Sequence, residues 1–197
     1  MMDASVLIHF IYIGWVKKLS TSTLAFDISQ FFPSLNHHLL LCILRKAGFD
    51  LKIVQFFSNY LVCRKIQYFW NDFSSSLFNV DVGVGQGSTL SSILSTLYLV
   101  PFLHIFEKCI KNLKIPVSML LFVDHGLLIA QSKSFSLSNA LLFSSYNIVS
   151  NFLLKFSLII EHFKTEIFHF SRSCGTFNPF PLDLSSLEGY TLHPKNT

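Results

Sequence analysis

Two aspartates draw attention because carboxylates are scarce in this chain. Asp27 follows the apolar run Leu24-Ala25-Phe26, and Asp124 follows Leu120-Leu121-Phe122-Val123. A carboxylate within an apolar strand is costly to bury unpaired, so each must meet a cation, a hydrogen-bond donor or water at a strand end. One such aspartate is typical of a turn or a cap, whereas two at the ends of separate strands indicate a shared metal site. From these two residues alone, both interpretations stay open.

Four segments of the chain, spaced along its length, are rich in aromatic, glycine or charged residues. They are Phe26-Asp27-Ile28-Ser29-Gln30-Phe31-Phe32, Gly83-Val84-Gly85-Gln86-Gly87-Ser88-Thr89-Leu90-Ser91, Phe122-Val123-Asp124-His125-Gly126, and Lys164-Thr165-Glu166 with Phe168 and Phe170. In order and separation they resemble the palm motifs of reverse transcriptases, in particular those of non-LTR (LINE-type) retrotransposons. The resemblance runs from about Gly14 to Pro181. Any one segment is a weak signal, but four in series are specific.

The resemblance implies RNA-directed DNA synthesis by a two-metal mechanism. In such nucleotidyl transfer, one magnesium ion activates the primer 3′-hydroxyl and the other holds the triphosphate. By resemblance, Asp27 and Asp124 are catalytic metal ligands, and the backbone carbonyl of Ile28 is a further ligand. An RNA template, a DNA primer and deoxynucleoside triphosphates are the implied partners.

Four further residues match positions that line the family's nucleotide pocket. Phe32 matches the bulky residue that stacks under the incoming sugar, although it could equally be one core phenylalanine among 22. Gln86 and Gly87 match the turn where missing side chains let the backbone approach substrate. Lys164 matches the position beside the leaving pyrophosphate, although it could also be an ordinary solvated lysine at a strand start.

One departure from the family pattern affects the metal site directly. The third motif normally ends in two aspartates, and here the second is His125. Magnesium prefers oxygen ligands in octahedral geometry, so an imidazole nitrogen is a poor substitute. Ser92 and Ser157 stand where the family usually has Pro and Gly. We therefore expect an impaired polymerase.

The elements that must position these residues follow from periodicity and caps. Leu24–Ile28 is predicted to be a buried strand, and Val117–Val123 and Leu127–Ala130 two strands joined by a tight turn at residues 124–126. Helices are also predicted at Ala4–Val16, Thr89–Leu99 and Leu137–Phe156, and two more are predicted to begin after the capping residues Asn36 and Asp50. The remaining predicted elements are a hairpin of Lys65–Trp70 with Leu77–Val82, and strands near Leu158 and Ile167.

These elements predict an α+β fold, a polymerase palm with a small antiparallel sheet packed on helices. Residues 1–20 are expected to be a remnant of a fingers-side helix, and residues 21–172 the palm core. Residues 173–197 are expected to form a loop tail that stops before the primer grip and thumb.

The composition leaves other classes of protein open. Hydrophobic residues make up 51% of the chain and charged residues 13%, against about 25% charged in typical domains. Two long uncharged stretches therefore keep a membrane protein as an alternative, although their glycine, serine and asparagine content argues against it. The net charge of +4 permits nucleic-acid binding. The four scattered cysteines are expected to be reduced, mostly buried thiols of an intracellular protein, nuclear or cytoplasmic.

Four hypotheses remain from the sequence. The chain is a reverse-transcriptase-derived polypeptide without activity, an enzyme completed by another chain, a nucleic-acid-binding or structural relic, or a membrane protein. His125 favours the first over the second. Clustering of Arg45, Lys46, Arg64 and Lys65 on one surface would favour the third.

Overall fold

The computed structural model describes residues 4–172, 182–184 and 190–192. These residues fall into two compact units: the first takes residues up to Ser29, Ile105–Leu154 and those from Ile159 onward, and the second takes Gln30–His104 and Lys155–Leu158. The elements in chain order are α1 (Ala4–Val16), β1 (Ser20–Ser29), α2 (Phe31–Ser34), α3 (His37–Lys46), α4 (Leu51–Leu61), β2 (Arg64–Ile66), β3 (Phe69–Trp70), β4 (Phe73–Ser74), β5 (Phe78–Val80), α5 (Thr89–Leu113), β6 (Val117–Phe122), β7 (His125–Ser132), α6 (Phe135–Lys155), β8 (Ile159–Phe170), β9 (Leu182–Leu184) and β10 (Tyr190–Leu192).

The first unit contains a four-stranded antiparallel sheet in the order β6-β7-β1-β8. Helix α6 supplies buried Leu142, Tyr146, Val149 and Leu153 to the core of this unit. The ring of Phe26 on β1 meets Tyr146 edge to face, with ring centroids 6.4 Å apart. This combination of helices and a small antiparallel sheet confirms the predicted α+β fold class.

Strand β1 is longer than the apolar run predicts. Its first half contains Thr21, Ser22 and Thr23, all of which are buried. β1 is a central strand, so both of its edges are paired and the backbone of these residues is satisfied. The Ser22 hydroxyl also lies 2.7 Å from Nδ1 of His169 on β8. Because polar residues satisfied in this way carry no hydrophobic signal, the sequence could not extend the strand.

Two predictions about strands in the first unit were wrong in detail. Instead of two strands near Leu158 and Ile167, β8 is one strand of 12 residues. Its pairing with β1 shifts register between Ala25 and Asp27, which marks a bulge. The turn between β6 and β7 lies at Val123 and Asp124, so His125 already belongs to β7. Val123 takes the left-handed conformation, with φ of 56°, that two-residue hairpins usually give to glycine, asparagine or aspartate.

In the second unit, the helices begin where their caps predict. The side chain of Asn36 accepts a hydrogen bond from the backbone N–H of Leu39, and that of Asp50 accepts one from Lys52. The predicted hairpin is present as two short antiparallel pairs, β2 with β5 and β3 with β4.

Helix α5 begins at Thr89, directly after the turn at Gln86 and Gly87, which confirms the predicted turn before a helix. It continues to Leu113, beyond the predicted end near Leu99, because Pro101 is accommodated inside the helix. A proline removes one helical hydrogen bond, and here Phe102, Phe106 and Ile110 are buried beyond it. α5 is long and apolar enough to cross a membrane by length and composition, a test that the core helix of a soluble protein also passes.

Two smaller expectations also need correction. Residues 173–197 were expected to be a loop, yet Leu182–Leu184 and Tyr190–Leu192 pair as an antiparallel two-stranded sheet. Each segment alternates apolar and polar residues, a strand pattern that the loop-like composition of the whole tail concealed. The rest of the tail lies outside the described residues. Cys63 is exposed and Cys42 and Cys109 are half-buried, so the thiols that the structure describes are free but not mostly buried.

Candidate active site

Asp27 lies near the end of β1, the strand with a neighbour on each side. Its register partners are His125 on β7 and Glu161 on β8. The bulge in the β1–β8 pairing directly precedes Asp27. Its side chain is only 22% exposed, so the carboxylate must be met by polar partners from the two neighbouring strands.

Asp124 lies in the β6–β7 turn beside the same end of β1. Its carbonyl accepts a hydrogen bond from the backbone N–H of Ile28, at 2.8 Å. The turn is thereby fixed against the residue that follows Asp27. The structure thus brings Asp27, Ile28 and Asp124 together, as the resemblance to the palm motifs implies.

His125 lies between the two aspartates. Its Nδ1 is 2.7 Å from Oδ1 of Asp124, and its Nε2 is 3.3 Å from Oδ1 of Asp27. A single imidazole ring therefore contacts both carboxylates. The ring is reached readily from solvent, because 59% of the side chain is exposed.

Lys164 approaches Asp27 from β8. Its Nζ lies 3.5 Å from Oδ2 of Asp27, so a cation contacts the second carboxylate oxygen. Asp27, His125 and Lys164, together with Phe163 and Glu166, line an open cavity of about 420 Å³. The resemblance places Lys164 at this site, and the distance to Asp27 makes it an ion-pair partner of a metal-ligand candidate. Its role beside the leaving pyrophosphate stays a prediction.

The residues present do not fit a magnesium centre in this arrangement. Magnesium requires near-octahedral oxygen ligands at about 2.0–2.1 Å. Here both oxygens of Asp27 and one of Asp124 already contact His125 or Lys164. Within residues 4–172 and the two short strands beyond them, no group of three or more His, Cys, Asp and Glu residues is arranged to hold a metal ion. The metal-ligand roles of Asp27, Ile28 and Asp124 stay predictions.

The nucleotide-pocket candidates Phe32, Gln86 and Gly87 belong to the second unit. Phe32 is half-buried in α2, and its carbonyl accepts a hydrogen bond from the backbone N–H of Val84, at 2.8 Å. Gln86 and Gly87 are exposed in the turn before α5. The position of Phe32 is thus tied to the start of the glycine-rich segment, while its role as a sugar gate stays a prediction.

Gly83 is the residue on which this glycine-rich segment is fixed. Its φ of 78° suits glycine, and a Cβ there would lie 2.5 Å from the carbonyl oxygen of Pro33. Its own carbonyl accepts hydrogen bonds from Nε2 of His37, at 2.5 Å, and from the guanidinium of Arg64, at 2.6 Å. Its backbone N–H donates to the carbonyl of Leu35, at 2.7 Å.

Sequence reasoning missed the roles of three residues here. His37 carries no motif signal, and Arg64 was noted only as one of a basic pair. Glu161, whose Oε2 accepts from the Ser29 hydroxyl at 3.1 Å, faces Asp27 across the β1–β8 pairing. Its position could be found only after β8 was recognised as one continuous strand with a bulge.

An antiparallel sheet with two aspartates at one strand end, and a glycine-rich turn that leads into a helix, define the palm of a nucleic-acid polymerase. The sequence profile of the family described as reverse transcriptase (RNA-dependent DNA polymerase) matches residues 6–189. The chain therefore belongs to the reverse transcriptase family. No curated protein sequence matches the chain significantly.

Solved telomerase structures share the fold. Apo telomerase from Candida tropicalis, truncated from the C-terminal domain, superposes with a TM-score of 0.65 at 16% identity, over 88% of this chain and 36% of that chain. Telomerase from the same organism in complex with a TWJ fragment of telomeric RNA gives a TM-score of 0.67 at 17% identity, over 90% and 31%. The Candida albicans telomerase in the corresponding complex gives 0.57 at 16% identity, over 93% and 33%.

This likeness shows the fold alone, that of the telomerase reverse transcriptase palm region. The chain spans about a third of the length of these telomerases. The expected membership of the reverse transcriptases is confirmed, and the finer assignment to the non-LTR branch stays a prediction.

Proposed function

We propose that this chain is a reverse-transcriptase-derived polypeptide of the non-LTR type whose polymerase site is inactive or nearly so. Its ancestral reaction is RNA-directed DNA synthesis, in which magnesium ions held by Asp27 and Asp124 would supply charge stabilisation to the triphosphate and the primer hydroxyl. RNA template, DNA primer and deoxynucleoside triphosphate are the ligands of that reaction.

The observation that carries the proposal is the position of His125 between Asp27 and Asp124. A carboxylate at this position would add an anionic oxygen ligand, whereas imidazole adds none and contacts the oxygens that a metal needs. Losing one such ligand removes several kcal/mol of transition-state stabilisation. This corresponds to a loss of about a hundred- to ten-thousand-fold in rate.

Primer extension tests this proposal. The purified protein should not extend a DNA primer on an RNA template with magnesium. The sharper comparison places residues 21–172 of this chain in the palm position of an active reverse transcriptase, with His125 or with His125→Asp. We expect His125→Asp to raise the rate by at least about a hundredfold.

Equal extension by the two chimeric proteins would show that His125 is not what disables the site. A matched change outside the site, His104→Asp at an exposed position of α5, controls for the same change of charge. It should leave the rate of either chimera unchanged.

A second candidate function is nucleic-acid binding without catalysis. The observation that favours it is the exposure of Arg45 and Lys46 in the last turn of α3. Fluorescence anisotropy with a labelled oligoribonucleotide would test it, and Arg45→Ala with Lys46→Ala should weaken binding. Binding that does not fall with rising salt would contradict an electrostatic contact.

A further inference from the structure

One end of the four-stranded sheet carries a cluster of cations, here called the basic end. At this end β1 and β6 begin while β7 and β8 finish, since Ser20 pairs with Ser132 and Thr21 with Phe170. Five basic residues lie within three positions of these strand ends, and all are exposed: Lys17, Lys18, Lys114, Lys133 and Arg172. They come from separate parts of the chain, so only the fold brings them to one end of the sheet.

Negative charge is missing from the basic end. In the described part of the chain, no aspartate or glutamate lies within three residues of these strand ends, and none of the five cations forms an ion pair. The carboxylates of Asp27, Asp124 and Glu161 lie towards the opposite end. Asp27 is seven residues from Ser20, or about 23 Å along β1. Charge of one sign gathered in one place, more than net charge, indicates an electrostatic binding surface.

Two of the five lysines occupy backbone positions that favour glycine. Helices α1 and α5 each end in a Schellman motif, in which the backbone N–H of Leu19 or Ile115 donates to the carbonyl five residues earlier. The preceding residues, Lys18 and Lys114, are left-handed, with φ of 55° and 54°. Helix α3 ends with the same hydrogen bond and has Gly48 at this position.

The local backbone therefore does not explain the lysines at these two helix ends. The left-handed conformation is unfavourable for any residue with a Cβ, and a cation near a helix C-terminus offsets part of that cost. Unfavourable backbone conformations that a chain retains are concentrated at functional sites. What Lys18 and Lys114 share, apart from this conformation, is their place at the basic end.

Two open cavities lie at the basic end. One, of about 280 Å³, is lined by Trp15, Lys18 and Arg172 among others. The other, of about 360 Å³, is lined by Lys17 and by mainly apolar residues that include Ile115. The cations extend across the ends of four adjacent strands, which is about 14 Å. A single small anion is too short for this row, so the row requires a ligand with several negative groups.

We propose that the basic end binds the phosphate backbone of a single-stranded nucleic acid, with one base stacked on Trp15. Positive charge along a groove combined with an aromatic platform is how proteins hold single strands without sequence preference. The two recesses favour a strand whose bases enter them over a membrane surface, which stays flat. Because the contacts go to phosphates, we expect binding without sequence specificity.

This inference rests on the second candidate function above, nucleic-acid binding, but it uses different residues. It does not depend on the state of the polymerase site. If binding falls in Arg45→Ala with Lys46→Ala but not in Lys18→Gly, the inference fails and that candidate function stands. If the chain binds no oligonucleotide, both fail.

Salt-dependent binding of the full chain tests the proposal. Fluorescence anisotropy would follow a labelled single-stranded oligonucleotide of about 12 nucleotides. Lys18→Gly and Lys114→Gly should each reduce the slope of log association constant against log salt by about 0.7, and together by about 1.4. The double variant should also weaken binding at low salt by at least about tenfold. Lys52→Ser removes one exposed cation on α4 and should leave the slope unchanged.

The same two variants separate loss of binding from loss of folding. Glycine is the preferred residue at the end of a Schellman motif. The urea midpoint of Lys18→Gly and of Lys114→Gly should therefore be no lower than that of the native protein, although both bind more weakly. Unfolding at a lower urea concentration would instead give these lysines a structural role and overturn the proposal.

Tryptophan fluorescence tests where the strand binds. The chain has two tryptophans, and Trp70 is 75% exposed, so Trp70→Phe leaves Trp15 as the single emitter. Its emission should be quenched when the unlabelled oligonucleotide is added, because a base stacks on the indole. Binding without any change in the emission of Trp15 would place the strand elsewhere and overturn the proposal.

Two competition experiments exclude other sources of phosphate. Inorganic phosphate should displace the oligonucleotide no better than chloride does at equal ionic strength, and displacement at low millimolar phosphate would indicate a site for a single anion. Phosphatidylserine vesicles should bind less tightly than the oligonucleotide does. Tighter binding to vesicles that is lost in Lys18→Gly would assign the basic end to a membrane surface and overturn the proposal.

Discussion

His125 and Asp27 are partners across strands β7 and β1, and Nε2 of His125 lies 3.3 Å from the Asp27 carboxylate. The contact is a direct result of register, since antiparallel partners have side chains on the same face of the sheet. An aspartate at position 125 would place its carboxylate on the same face, beside that of Asp27. The identity of one residue therefore decides whether this strand pair presents oxygen ligands or an imidazole bridge.

Divalent-metal binding should respond to that residue. Electron paramagnetic resonance with Mn²⁺, an oxygen-preferring ion, should show no stoichiometric binding by the native protein at low millimolar metal. His125→Asp should bind more tightly by at least about tenfold, because a carboxylate replaces the imidazole bridge.

His125→Ala separates two causes of this effect. It removes the bridge without adding a ligand and should give intermediate binding. If the native protein binds Mn²⁺ as tightly as His125→Asp, then the imidazole does not obstruct the carboxylates, and the assignment of His125 as the defect fails.

Gly83 should be the least replaceable glycine of the 83–87 segment. Gly83→Ala would combine a left-handed φ of 78° with overlap on the backbone of Pro33. We expect it to lower the free energy of unfolding by at least about 2 kcal/mol in urea denaturation.

Gly87→Ala is the matched control for this substitution. Gly87 has a φ of 89°, but a Cβ there would meet nothing within 4 Å. Gly87→Ala should therefore lower the free energy of unfolding by only about 1 kcal/mol, the penalty of the left-handed conformation for alanine. Equal costs for the two variants would show that the Pro33 backbone moves aside easily.

Stability should fall at high pH because of Tyr98. Burial of its ring raises the pKa of the phenol to about 12, against a smaller opposite effect of the Asn36 backbone N–H. The unfolded chain loses this proton near its ordinary pKa of 10. The contribution of protonated Tyr98 to the free energy of unfolding is therefore fully present below pH 10. It is lost progressively as pH rises towards 12.

Tyr98→Phe isolates this effect from other groups that titrate there. The Tyr98 hydroxyl donates to the carbonyl of Phe156, at 2.6 Å. The variant should cost about 1 kcal/mol at neutral pH and should show a shallower loss of stability between pH 10 and 12. Parallel pH profiles for native protein and Tyr98→Phe would rule Tyr98 out as the cause.

The order of the family motifs was enough to predict the palm and the neighbouring positions of Asp27 and Asp124. Capped helices such as α3 and α4 were also predictable, since the signals at Asn36 and Asp50 are local. The bulge opposite Asp27 and the contacts of His37 and Arg64 with Gly83 were not, because they depend on pairings distant in sequence. The backbone at Ser157 was predictable only in part. The family usually has glycine at this position, and Ser157 has a left-handed φ of 59°.

Gly126 should tolerate no side chain while Phe26 is its cross-strand partner. The two are in register on β7 and β1, and a Cβ on Gly126 would overlap the Phe26 ring. Phe26 is almost fully buried, so its ring has little room to move. Gly126→Ala should therefore cost about 1–3 kcal/mol of unfolding free energy, the usual range for overpacking.

The double variant Phe26→Leu with Gly126→Ala tests the cause, because leucine leaves room for the added methyl group. Phe26→Leu alone should also destabilise, since it forfeits the edge-to-face contact with Tyr146. If overlap is the cause, the double variant will be more stable than the sum of the two single changes predicts, by at least about 0.5 kcal/mol. Additive costs in urea denaturation would instead place the effect in the backbone of β7, since alanine would then be unfavourable at position 126 whatever residue it faces.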